Sequence, residues 1–192
     1  MKNRLISAAF LVVLMSAILM APHFARADES VAWQALRDGE AVLMLRHALA
    51  PGTGDPANFK LGDCRTQRNL SNTGRDQARA WKPLLAGHGI NQARVFSSQW
   101  CRCMDTATEM DVGEVTEWPS LNSFFRNRSY EPEQTRETIE RVNGLEKGFP
   151  AVLVSHQVNV TAISGIFPSS NEGVILALPL SESPEILARV TP

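Results

Sequence analysis

The sequence predicts a three-layer α/β sandwich with a mostly parallel central sheet. Short apolar runs such as Ala41–Leu45 and Ala151–Ser155 alternate with segments of helical periodicity, as expected when strands are covered by helices on both faces. No repeat or linker interrupts the pattern, and 192 residues with 44% hydrophobic and 20% charged side chains suit one domain with a full core. The net charge of -1 and the lack of any basic run or basic–aromatic stripe argue against a nucleic-acid partner.

The first 27 residues read as a signal peptide. Lys2 and Arg4 precede an apolar run from Leu5 to Met20, Pro22 breaks it, and Ala25-Arg26-Ala27 supplies small residues for cleavage before Asp28. An uncleaved anchor is the competing reading, since the run nearly reaches bilayer length. Cleavage would take Lys2, Arg4 and Arg26 of the 19 basic residues and none of the 20 acidic ones, leaving an acidic chain rich in Arg. The expected product is a periplasmic or secreted domain, residues 28–192, with no stable membrane span.

Along that domain, Ser30 is expected to cap a short helix to Arg37, followed by the Ala41–Leu45 strand and a Pro- and Gly-rich loop to Asn72. Thr73–His88 reads as one helix that Pro83 kinks. Arg94–Ser97 reads as a strand, Gln99–Met110 as a helix and Val112–Glu117 as a strand. An irregular stretch precedes a helix from Pro132 to Asn143. After Ala151–Ser155 come a short helix and two closing strands, Gly173–Leu178 and Ile186–Val190.

In open parallel sheets, ligands bind beyond the carboxyl ends of the strands. Three such ends carry unusual residues here: Arg46-His47, Ser97-Ser98 with Arg102 one turn on, and Ser155-His156. Of the four histidines, His23 lies in the leader and His88 reads as a helix terminus facing solvent. Two arginines and two histidines form a cationic pocket rich in N–H donors. Such a pocket suits a phosphoryl group, whose transfer depends on positioning and electrostatic stabilisation. An imidazole can also act as nucleophile, and neighbouring cations favour its neutral form.

Three cysteines remain after the leader: Cys64, Cys101 and Cys103. In an oxidising compartment Cys64 pairs with Cys101 or Cys103, and one thiol is left over. The C-x-C spacing is a poor zinc site, so no metal or other cofactor is expected.

These residues resemble the histidine phosphatase superfamily, in its phosphoglycerate mutase-like branch. The resemblance rests on four blocks in family order: Leu45-Arg46-His47-Ala48, Leu70-Ser71-x-x-Gly74-x-x-Gln77-Ala78, Phe96-Ser97-Ser98-x-x-x-Arg102-x-x-x-Thr106-Ala107 and Val154-Ser155-His156. It implies that His47 is the nucleophile, that Arg46 and Arg102 clamp the phosphoryl oxygens, and that His156 donates a further hydrogen bond to them. Arg68 is either a further phosphate ligand or a surface arginine.

Two positions depart from the family pattern. Gln157 follows His156 where many members carry an acid, and Ser123 stands where others have Glu. Glu117, Glu131 and Glu133 are the remaining candidates for the general acid; otherwise the leaving group must need no help. Small size and export resemble the branch that removes phosphate from lipopolysaccharide core heptose, so the expected substrate is a small or envelope-bound phosphomonoester. A binding module that has lost its acid is the alternative. A cytosolic mutase does not fit export, and a serine hydrolase lacks the G-x-S-x-G motif.

Overall fold

A computed structural model describes residues 24–192. The expected leader therefore falls almost wholly outside the described residues. Among the described residues, no helix is long and apolar enough to cross a membrane.

Six strands form one sheet in the order β3-β2-β4-β1-β5-β6. They span Ala41–Arg46 (β1), Arg94–Ser97 (β2), Val115–Glu117 (β3), Ala151–Ser155 (β4), Gly173–Ala177 (β5) and Ile186–Val190 (β6). The first four run parallel, and β5 and β6 close the sheet antiparallel. Alternate side chains leave the buried strands on opposite faces. Leu43, Leu45, Val95, Val152 and Ile175 pack with Trp33, Leu36, Trp81, Leu85 and Met110. Val42, Met44, Phe96, Leu153 and Val174 pack with Leu121, Val142, Val160 and Ile163. The helices α1 (Phe24–Arg37), α3 (Trp81–Gly87) and α4 (Cys101–Met110) thus cover one face, and α2 (Asn72–Arg79) packs on α4. The other face is covered by α5 (Glu131–Asn143) and α6 (Gln157–Ser164). This is the predicted three-layer α/β sandwich.

Several element boundaries differ from expectation. Ser30 does not cap α1, which begins at Phe24; Ala and Glu in that segment are good helix formers and carry the helix through Ser30. The single helix expected over 73–88 is two helices meeting at Ala80. Pro83 is the cause: its ring cannot donate to the carbonyl of Arg79 and crowds it, so the ladder breaks one turn upstream. Trp100 keeps an extended backbone, so α4 starts at Cys101 and not Gln99. β3 starts at Val115, opposite Val95; ahead of it Gly113 passes against Ala93, where a Cβ would lie 2.1 Å from the carbonyl oxygen.

Candidate active site

The parallel register of β1, β2 and β4 brings three loops together at their carboxyl ends. Arg46 is paired with Ser155, and Ser97 with Val154. His47 and His156 are therefore adjacent by topology, although 109 positions separate them in the numbering. Their rings meet edge to face at 5.6 Å. Both are almost fully buried, as is Arg102 from the first turn of α4.

The segment after His47 is gripped by α2. Leu49 N donates to Gln77 Oε1, and Leu49 O accepts from Ser71 N. Gly74 packs so closely that a Cβ there would lie 2.2 Å from the Leu49 oxygen. Ala48 N donates to Thr106 Oγ1 on α4. Gly74, Gln77 and Thr106, members of the four sequence blocks, hold the loop that presents the histidine.

The proton positions follow from the partners. His47 Nδ1 lies 2.8 Å from the carbonyl oxygen of Ala48, which can only accept, so Nδ1 carries the proton. The lone pair is then on Nε2, which accepts from Arg102 Nε at 3.1 Å. His156 Nδ1 accepts from Arg102 Nη2 at 3.3 Å, and its Nε2 donates to Ser98 Oγ at 2.8 Å. Ser98 in turn donates to Asn122 Oδ1. Burial, then the charge of Arg102, holds both imidazoles well below the ordinary histidine pKa, so both are neutral at pH 7.

Arg46 reaches the same pocket. Its Nη1 donates to Pro168 O at 3.2 Å, while its Nε is buried without a partner. Arg68 also lines the cavity and is half-buried, so it is not an ordinary surface arginine. It donates from Nε to Gly54 O at 2.8 Å and from Nη1 to Ala50 O. Burial, then Arg102, lowers the pKa values of both arginines from the usual value.

These groups line an open cavity of about 290 Å³. Its mouth carries exposed Phe125, Arg126 and Phe167, with Phe59 stacked on Trp100 at 4.9 Å. His88 is remote from the cavity and stacks on Trp33 at 4.2 Å, so its face is covered by an indole and not simply solvated. Cys64 and Cys101 form the disulfide, and Cys103 is a buried free thiol whose pKa burial pushes up to about 12.

None of the three glutamates considered as general acid lines the cavity. Glu117 is bonded by Gln99, Glu131 pairs with Arg128, and Glu133 is exposed. The carboxylate that does line it is Asp55, which sequence reasoning missed. Both its oxygens bind Arg102, at 2.7 and 3.2 Å. Only Asp55 and Asp63 are acidic between His47 and Arg68, and Asp63 caps a 3₁₀ turn, so charge counting could have narrowed the search.

Comparison with known proteins bears on the family and the fold. The sequence model of the histidine phosphatase superfamily (branch 1) matches residues 42–143, just over half of the chain. No curated protein matches the chain in sequence. Among solved structures, the protein histidine phosphatase SixA complexed with tungstate is similar at TM-score 0.51 and 20% identity, over 79% of this chain and 97% of that one. A phosphoserine phosphatase from Entamoeba histolytica, in complex with 3-phosphoglyceric acid, gives 0.56 and 12% over 79% and 97%. A mycobacterial glucosyl-3-phosphoglycerate phosphatase complexed with VO3 gives 0.52 and 16% over 72% and 91%. At these identities the likeness establishes the fold, and the matched family model establishes the relationship. The chain belongs to branch 1 of the histidine phosphatase superfamily and is a phosphoric monoester hydrolase.

Proposed function

We propose that this protein is an exported phosphomonoesterase that works through a phosphohistidine on His47. The observation that carries the reading is the convergence of His47 Nε2, His156 Nδ1 and the Nε–Nη2 edge of Arg102 on one point. Nδ1 of His47 is tied to Ala48 O, so the free lone pair is the one at the centre of that cluster. A phosphoryl group arriving there is a stronger acceptor than either neutral imidazole, and takes over the Arg102 donors. Arg46, with spare donors, and Arg68 close the cationic wall. His156 Nδ1 is an accepting nitrogen, so it meets the group by accepting from the P–O–H of a monoanionic ester, and not as the donor expected from the resemblance.

Attack of the Nε2 lone pair on phosphorus forms an N–P bond as the ester P–O bond breaks. The departing oxygen takes its proton from solvent. Water then attacks phosphorus, the N–P bond breaks, and phosphate and neutral His47 are restored. Arg102 and Arg46 stabilise the charge that develops on the equatorial oxygens.

Two features support export: the leader-like residues 1–27, and a Cys64–Cys101 disulfide, which persists in oxidising compartments. The resemblance to the heptose-phosphate branch points to envelope sugar phosphates. An open pocket with an aromatic mouth is compatible with a sugar carried on a larger molecule. The test is phosphate release by residues 28–192 from a panel of phosphomonoesters in the presence of chelator, beside His47→Ala. Release that disappears in the variant supports the reading; a panel without any release sinks it.

A further inference from the structure

We propose that Asp55 is a positioning residue that aims Arg102 at the reaction centre, acting as a permanent carboxylate and not as the proton donor the pocket lacks. This rests on the phosphatase reading above and goes beyond it.

The first observation is a donor count on Arg102. A guanidinium has five N–H groups in a fixed fork. Here Nε–H goes to His47, and one Nη2–H goes to His156. The far end goes to Asp55, Nη1 to Oδ1 at 2.7 Å and Nη2 to Oδ2 at 3.2 Å, with a weaker contact from Nη1 to Arg68 O at 3.5 Å. The side edge of the guanidinium therefore faces the imidazoles while its end is clamped. Helix α4 positions only the Cα of Arg102, and several rotatable bonds lie between that atom and the guanidinium. A bidentate carboxylate at the far end supplies the second fixed point that defines the plane.

The second observation is an acceptor count on Asp55. An ionised carboxylate offers about four lone-pair sites. Arg102 Nη1 and the backbone N–H of Arg68 (3.1 Å) fill those of Oδ1, while Arg102 Nη2 and the indole N–H of Trp100 (3.1 Å) fill those of Oδ2. No site is left for a proton, so Asp55 has none to give to a leaving group. Burial by itself would raise the carboxyl, but Arg102, the Arg68 N–H and the Trp100 indole outweigh it and hold the group below the ordinary aspartate value. The nearby groups on other elements, Arg46 of β1 and the buried neutral imidazoles, offer Asp55 no proton at neutral pH. The loop that carries Asp55 is itself anchored to α4. Trp100 and Arg102 flank Cys101, whose disulfide partner Cys64 lies on that loop.

The experiment compares kcat/KM on 4-nitrophenyl phosphate and on glycerol phosphate for the parent, Asp55→Asn, Asp55→Glu, Arg102→Lys and the Asp55→Asn/Arg102→Lys double variant. Asp55→Asn is expected to lose about 10²-fold on both esters, as a misaimed catalytic group does, with the ratio between them unchanged. In the Arg102→Lys background the same change adds little, because the two residues act as one unit. Asp55→Glu recovers part of the loss. A loss on glycerol phosphate that far exceeds the loss on the aryl ester identifies a proton donor and overturns the proposal, as does full additivity in the double variant. The parent supplies a check that needs no folded variant: without a proton donor, its rate drops steeply from aryl to alkyl ester, and equal rates overturn the proposal. Parent turnover that His47→Ala abolishes secures the phosphatase reading separately, so a failure at Asp55 is then a failure of this proposal alone.

Discussion

Arg102 Nε donates to His47 Nε2 at 3.1 Å, so the ring nitrogen with the free lone pair and the guanidinium proposed to bind the transferred group already face each other. The contact is buried and its partners are neutral and cationic, a combination that favours an arriving anion. The arrangement and its supports can be tested at four places.

Arg102→Lys keeps a positive charge but loses the fork that spans both imidazoles. A fall in kcat of about 10²–10³-fold is expected, the cost of removing one well-placed donor to developing charge. Steady-state kinetics on any accepted ester checks it, and kcat within a few-fold of the parent would remove Arg102 from the proposed clamp.

Both site histidines have folded pKa values held well below the unfolded value, by burial first and Arg102 second. Below about pH 6.5 the unfolded chain binds protons that the folded site refuses, so stability falls as pH drops through that value. The slope is up to about 1.4 kcal/mol per pH unit for each imidazole. Denaturant unfolding between about pH 7.5 and 5 measures it, and the His47→Asn/His156→Asn variant is expected to lose that part of the slope.

The disulfide closes a loop with sequence separation 37. Loop-closure entropy for that length corresponds to about 3–4 kcal/mol. Cys64→Ser, or the parent under reductant, is expected to melt at lower temperature. Activity is also expected to fall, because the loop carrying Asp55 and Arg68 loses its tie to α4. An unchanged melting temperature after confirmed reduction would contradict this.

Gly74→Ala tests the grip of α2 on the segment after His47. In a free helix, Ala is favoured over Gly by about 1 kcal/mol. Here the added Cβ would sit 2.2 Å from the Leu49 oxygen, a backbone atom that cannot move away alone. Net destabilisation of about 1–3 kcal/mol is expected, with reduced turnover from a displaced His47. Chemical denaturation and a single-substrate assay read both effects.

Much of the architecture is legible in the residue pattern. Apolar runs at 41–45 and 151–154 read as buried strands because a strand covered on both faces carries apolar side chains on both. Arg46, His47, Arg102 and His156 stand out because charged groups at the tips of such strands have no packing reason to be there. The two-helix break at Ala80 is only half visible: Pro83 announces a distortion, but whether a helix bends or splits depends on what packs beside it.

The sequence by itself determined the fold class and the cationic character of the strand tips at Arg46, His47, Arg102 and His156, since local pattern and chemical type carry that information. Tertiary structure decided that Cys64 pairs with Cys101 and that Arg68 turns inward. It also selected Asp55 over the three glutamates as the carboxylate at the site. Each is a contact between segments far apart in the chain, chosen by the register of β1, β2 and β4 and the course of an irregular loop. Such contacts have no period to read, because an irregular loop is shaped by the partners it meets.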